Sequence, residues 1–169
     1  MMSGVQVVGV SDIVVHPSYS STSSSPTNNL ALVRLTSPAA GSYRRLCLPA
    51  QNSVVSGEVQ LVGWRISAVL GSLSESLVTR DTQIVSDCGA GADKVCTSED
   101  TRCQGDTGAP LVKSDTTLVG AMTGGAGCST GNYGVFTNIA SKSAGHVDLP
   151  PISFLICRIY NLDPEHDII

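Results

Sequence analysis

Cys103-Gln104-Gly105-Asp106-Thr107-Gly108-Ala109-Pro110-Leu111-Val112 is a glycine-punctuated turn running into an apolar strand, and no other stretch of the chain constrains the fold as tightly. Glycines on either side of one hydroxyl residue let backbone N–H groups converge where Cβ atoms would block an incoming carbonyl, the arrangement that stabilises an oxyanion. The hydroxyl here belongs to Thr107. Taken alone, the segment fits an ordinary Gly-rich turn equally well.

On both sides of this turn lie short β-branched segments: Val5 to Val10, Ile13 to Val15, Leu30 to Leu35, Val59 to Trp64, Leu77 to Val85, Leu118 to Thr123 and Tyr133 to Ile139. Turn-forming clusters separate them, such as Ser18 to Thr27, Ser37 to Ser42 and Gly124 to Gly131. Such spacing predicts an all-β barrel or sandwich. Charged residues make up 14% of the 169-residue chain, against about 25% in a typical soluble protein, which also disfavours salt-bridged helices. The Ser/Thr-rich run ending at Pro26 is short and leads at once into Leu30 to Leu35, so it reads as a surface loop inside one domain.

Ten Lys+Arg against fourteen Asp+Glu give a net charge of −4. With no basic run to neutralise a row of phosphates, nucleic acid is not an expected partner. No apolar stretch reaches the roughly 20 residues that cross a bilayer as a helix, so no membrane partner is expected either. Six cysteines, Cys47, Cys88, Cys96, Cys103, Cys128 and Cys157, stand in no Cys-x-x-Cys or Cys/His zinc spacing. They favour disulfides and a secreted, oxidising setting rather than a metal site, and no cofactor is expected. Met1 to Val15 lacks the basic and apolar regions of a signal peptide. The simplest reconciliation is a chain incomplete at its N-terminus.

The decisive turn resembles the Gly-Asp-Ser-Gly-Gly-Pro signature of the trypsin/chymotrypsin family of serine proteases. Further marks stand in the family's order. His16-Pro17-Ser18-Tyr19 is similar to its His-Pro-x-Tyr, and Asn28-Asn29-Leu30-Ala31-Leu32 to the Asn-Asp-Ile-Ala-Leu box that supplies the triad acid. Leu46-Cys47-Leu48-Pro49 resembles Cys-Leu-Pro, and Gly63-Trp64 the Gly-Trp-Gly turn. Val119 to Cys128 is similar to the wall of the specificity pocket, and Gly134-Val135-Phe136-Thr137 to Gly-Val-Tyr-Thr. The resemblance implies a partial trypsin-like double β-barrel: the C-terminal barrel plus a remnant of the first. It divides the chain into an incomplete peptidase domain, residues 1–140, and a divergent tail, residues 141–169. In that tail Pro150 and Pro151 interrupt any regular element, and Ile152 to Tyr160 fits helix or strand equally.

Family catalysis needs a Ser nucleophile, a His that takes its proton and an acid that holds the His tautomer. The resemblance places the His segment upstream of residue 1. His16 belongs to the structural His-Pro mark and is expected to pack, while His146 and His166 fall in the unmatched tail. Asn29 stands at the acid position, where an amide can present its NH₂ to an imidazole and favour the wrong tautomer. Thr107 stands at the nucleophile position, where a Cβ methyl restricts χ1 and crowds the substrate carbonyl. An internal threonine has no α-amine of its own to act as base. The resemblance therefore implies a peptidase-family domain that is catalytically inactive, a pseudoenzyme binding protein or peptide ligands.

By the same resemblance Gly105 and Thr107 supply the oxyanion-hole donors. Asp106 matches the carboxylate that pairs with a new N-terminal ammonium after activation cleavage. No activation site is present in these residues, so Asp106 is expected to turn to solvent, be protonated or find another cation. Thr101 forms the floor of the specificity pocket, with Gly125 and Gly134 as its small wall residues, a neutral pocket suited to apolar side chains; Gly124 stands where the family has Trp. The resemblance also suggests the disulfides Cys88–Cys96 and Cys103–Cys128, leaving Cys47 and Cys157 to pair or remain free.

Two other readings fit parts of the sequence. One is a truncated or aberrantly spliced product of a serine protease gene. The other takes Asp106-Thr107-Gly108-Ala109 as the active-site turn of a retropepsin-like aspartic protease. That turn needs an apolar strand before the Asp, where this chain has Cys103-Gln104-Gly105.

Overall fold

The computed structural model describes residues 6–21, 26–39, 45–64, 77–86, 88–98, 106–114, 116–123 and 133–142. Within them the chain is all-β. Strands β1 (Val10–Val15) and β2 (Ala31–Leu35) form a two-stranded antiparallel sheet. The remaining strands are β3 (Glu58–Gly63), β4 (Val78–Val85), β5 (Lys94–Thr97), β6 (Pro110–Lys113), β7 (Thr117–Met122) and β8 (Gly134–Asn138). They close into a barrel in the order β3-β4-β5-β8-β7-β6, with every neighbouring pair antiparallel. Closure comes from β3 against β6, where Gln60 faces Val112 and Leu61 faces Leu111.

Alternation in β3 turns Val59 and Leu61 inward, where they meet Val95, Leu111, Val119, Met122 and Phe136. Phe136 and Leu111 are fully buried. The barrel can close around Phe136 because residue 120 is glycine: a Cβ there would lie 3.0 Å from the Phe136 Cβ, 3.2 Å from the Leu111 Cβ and 3.2 Å from Val95 Cγ1. Thr82 of β4 also points into the barrel opposite Val59, and among the described residues its Oγ1 has no hydrogen-bond partner. Cys88 is bonded to Cys96, tying the lead-in to β5 onto the strand itself. Cys47 is also in a disulfide, with its partner outside the described residues. Its backbone pairs beside β7, accepting from Leu118 N at 2.8 Å.

Three local expectations need correction. Residues 6–9 are not strand, because Gly9 spends its carbonyl on Thr36 N (2.8 Å) at the margin of the sheet and the ladder starts at Val10. From there β1 runs unbroken through Ser11 and Asp12, with an irregular register there that accommodates the polar pair. Strand β5 has no counterpart among the segments expected from sequence. All four of its residues, Lys94-Val95-Cys96-Thr97, are buried, so it shows neither alternation nor an apolar run.

Two substitutions in the barrel test this packing in opposite directions. Thr82→Val removes an unsatisfied buried hydroxyl at nearly constant volume and is expected to raise unfolding stability by about 1 kcal/mol. Gly120→Ala forces Phe136 and Leu111 apart and is expected to lower it by about 1–3 kcal/mol. Urea titrations of both variants measure the two shifts.

Candidate active site

The turn that opens β6 is built by backbone hydrogen bonds. Ala109 N donates to Asp106 O at 2.8 Å, and Gly108 takes φ +85°, the combination of a type II turn that glycine adopts without strain. Thr107 sits at its exposed tip. The turn is fixed to the end of β7, where Gly108 N donates to Met122 O and Met122 N to Ala109 O, both at 3.0 Å.

Asp106 lies beneath that tip at 1% exposure. Its Oδ1 fills the space beside Gly63, where a Cβ would approach it to 3.0 Å and the Ala109 Cβ to 3.3 Å. The glycine of Gly63-Trp64 therefore makes room for a carboxylate. The expectation that Asp106 turns to solvent fails, because the end of β3 covers it, and the carboxylate is not without a partner.

Asn29 precedes β2 and is half-buried. Its Nδ2 donates to Thr123 O at 3.2 Å, and its own carbonyl accepts from Thr137 Oγ1 at 2.8 Å. Thr123 directs its hydroxyl away, onto Val135 O at 2.9 Å. The neighbouring residue, Asn28, adopts φ 50°, a left-handed conformation that asparagine tolerates better than most residues. Its N donates to Asp93 Oδ2 at 3.2 Å and its Nδ2 to Ser18 O at 2.9 Å. His16 packs at 5% exposure, with Nδ1 accepting from Ser18 N at 3.1 Å, so it braces this loop from behind.

Successive carbonyls, Met122 and Thr123, thus hold the turn bearing Thr107 and the loop bearing Asn29 at the same strand end. Gly134, buried at the start of β8, lies alongside. The other residues named from the sequence for this site, Gly105, Thr101, Gly125 and the pair Cys103 and Cys128, fall outside the described residues, as do Gly124, Cys157, His146, His166 and the segment from residue 143 onward. Among the described residues no group of three or more His, Cys, Asp or Glu could hold a metal ion. The Thr123 carbonyl that receives Asn29 has no signature in the sequence, since every residue carries a backbone acceptor.

A buried carboxylate under a Gly-bearing turn, joined through one strand end to an Asn-bearing loop on a closed six-stranded barrel, coincides with a family match: the profile described as Trypsin covers residues 2–144. The chain belongs to the trypsin family. It is 32% identical over 160 residues to vitamin K-dependent protein C of Mus musculus, a match covering 78% of this chain and 34% of that protein. It is 29% identical over 163 residues to trypsin-1 of Astacus astacus, covering 85% of this chain and 66% of the relative. Trypsin delta of Drosophila erecta is 30% identical over 159 residues, with 84% of this chain and 62% of that trypsin covered. The chain thus spans about a third to two thirds of the length of these relatives.

In this member of the trypsin family the acceptor facing residue 29 is a carbonyl rather than a hydroxyl. Asn29→Asp sets two oxygens against each other and is expected to cost about 1–3 kcal/mol at neutral pH. Repulsion by the carbonyl raises the folded-state pKa of the new carboxyl above its unfolded value of about 3.9. The penalty is therefore absent at lower pH and fully developed above the raised folded pKa. Denaturant midpoints of the variant and the parent, compared from pH 3 to pH 8, check both the size and the sign.

Proposed function

We propose that this chain is a non-catalytic trypsin-family homologue that works extracellularly, holding a peptide or protein segment at a protease-type site without cleaving it. The observation carrying this reading is the Asn29 amide, neutral and committed through Nδ2 to the Thr123 carbonyl at 3.2 Å. An acid at that position would stabilise the imidazolium formed when a His takes the nucleophile's proton. In trypsin, replacing it by asparagine costs about 10⁴ in rate. Thr107 adds a second obstacle, since its β-methyl narrows the approach of a substrate carbonyl. Neither argument depends on what precedes residue 1.

The buried Asp106, the Gly108 turn and the closed barrel support retention of the binding scaffold, and they favour a folded homologue over a broken gene product. Extracellular placement is supported by the Cys88–Cys96 disulfide and by the trypsins among the relatives. The neutral pocket read from Thr101, Gly125 and Gly134 suits an apolar side chain on the bound segment.

The native protein, with whatever sequence flanks these residues, is the material for the test. A fluorophosphonate probe is expected to leave Thr107 unlabelled, and p-nitrophenyl ester hydrolysis is expected to equal that of Thr107→Ala. Labelling of Thr107, or ester turnover lost on that substitution, overturns the reading.

A further inference from the structure

Behind Asn29 lies a group of charges that the proposed binding role does not use. Lys94 opens β5 with a side chain only 1% exposed, and its ammonium donates to Pro26 O. Asp93 Oδ2 lies 3.4 Å from the same ammonium and also accepts from Asn28 N at 3.2 Å. Lys142, in the turn after β8, donates through Nζ to Asn28 Oδ1. Asn138 N donates to Asp93 O at 2.9 Å, joining the end of β8 to the same cluster. Three separate parts of the chain, residues 26–29, the start of β5 and the turn after β8, meet here.

We propose that Lys94 and Lys142 are positioning residues for Asn29, forming a two-ammonium clamp on Pro26 and Asn28 that holds the Asn29 amide against the Thr123 carbonyl. An ammonium with almost no access to water is costly unless its hydrogen bonds and charge are met. For Lys94 they are met partly by Asp93, in the turn just before β5, and partly by the Pro26 carbonyl of the loop. If the loop moves away, Lys94 loses that acceptor. The barrel therefore favours the loop position in which that acceptor is supplied.

Asn28 is gripped on three sides, by Asp93 at its N–H, by Lys142 at Oδ1 and by Ser18 at Nδ2. This fixes a left-handed residue immediately before Asn29 and so sets the direction in which the Asn29 side chain leaves the backbone. The two Asn28 side-chain bonds assign its amide orientation, because an ammonium only donates and a carbonyl only accepts. The clamp acts whether or not the site turns over substrate, so it stands apart from the proposed function.

The test uses the full chain, isotope-labelled, with hydrogen exchange at the Asn29 side-chain NH₂ as the readout and the Leu111 and Phe136 backbone amides as the barrel reference. Lys94→Met removes the charge at similar length, Lys94→Arg keeps it, and Lys142→Met cuts the second arm at a half-buried position. In Lys94→Met, Asn29 NH₂ exchange is expected to accelerate at least tenfold while the barrel amides change less than twofold, with Lys94→Arg recovering most of the protection. Lys142→Met is expected to accelerate Asn29 exchange at least threefold. Exchange at Asn29 within twofold of the parent in both methionine variants overturns the clamp, and so does a parallel rise at Asn29, Leu111 and Phe136, which would mark a merely structural role. If Lys94→Met fails to fold, Lys142→Met decides by the same criteria.

Discussion

Two neighbouring carbonyls at the end of β7 carry the site. Met122 O receives Gly108 N and Thr123 O receives Asn29 Nδ2. In an extended strand successive carbonyls point to opposite edges. The turn with Thr107 and the loop with Asn29 therefore attach on opposite sides of one strand end. Their relation is set by the strand rather than by contact between the two. β7 is itself held between β6 and β8, and the approach of β8 depends on residue 120 having no side chain. Barrel packing and site geometry are thus a single requirement.

Much of this architecture is legible in the sequence where burial is one-sided. Alternation in Val59 to Trp64 marks a strand because Val59 and Leu61 meet the core while Glu58 and Gln60 do not. β5 escapes that logic. It lies buried along its whole length, so its composition follows its neighbours, and Lys94 at its head looks like a surface residue until its acceptors are seen. At the site, the Gly-rich turn and the Asn-Asn box single out Thr107 and Asn29 through short local patterns. The partners of those residues are not local. Asn29 reaches Thr123 across 94 positions, Lys94 reaches Pro26 across 68, and Lys142 reaches Asn28 across 114. No window of sequence contains such pairs, and two of the acceptors are backbone atoms present at every residue.

The identity of residue 29 is consistent with its surroundings. Thr123 turns its hydroxyl to Val135 O and leaves its carbonyl facing the loop. That carbonyl offers lone pairs only, so the compatible group is a donor. An amide satisfies it and also fits the space of a carboxylate. The neutral side chain is therefore part of a local hydrogen-bonding pattern extending into β8.

The features that give the site its shape are separable from those that would give it reactivity. The type II turn depends on Gly108 and on backbone N–H groups, the buried Asp106 depends on the missing Cβ of Gly63, and the loop depends on Asn28 and the two lysines. None of these uses the charge of residue 29 or the nucleophilicity of residue 107. The turn, the buried carboxylate and the loop therefore place no demand of their own for a charge at residue 29 or a nucleophile at residue 107. A carboxylate at residue 29 would face the lone pairs of the Thr123 carbonyl unless Thr123 released Val135 O and turned its hydroxyl toward it.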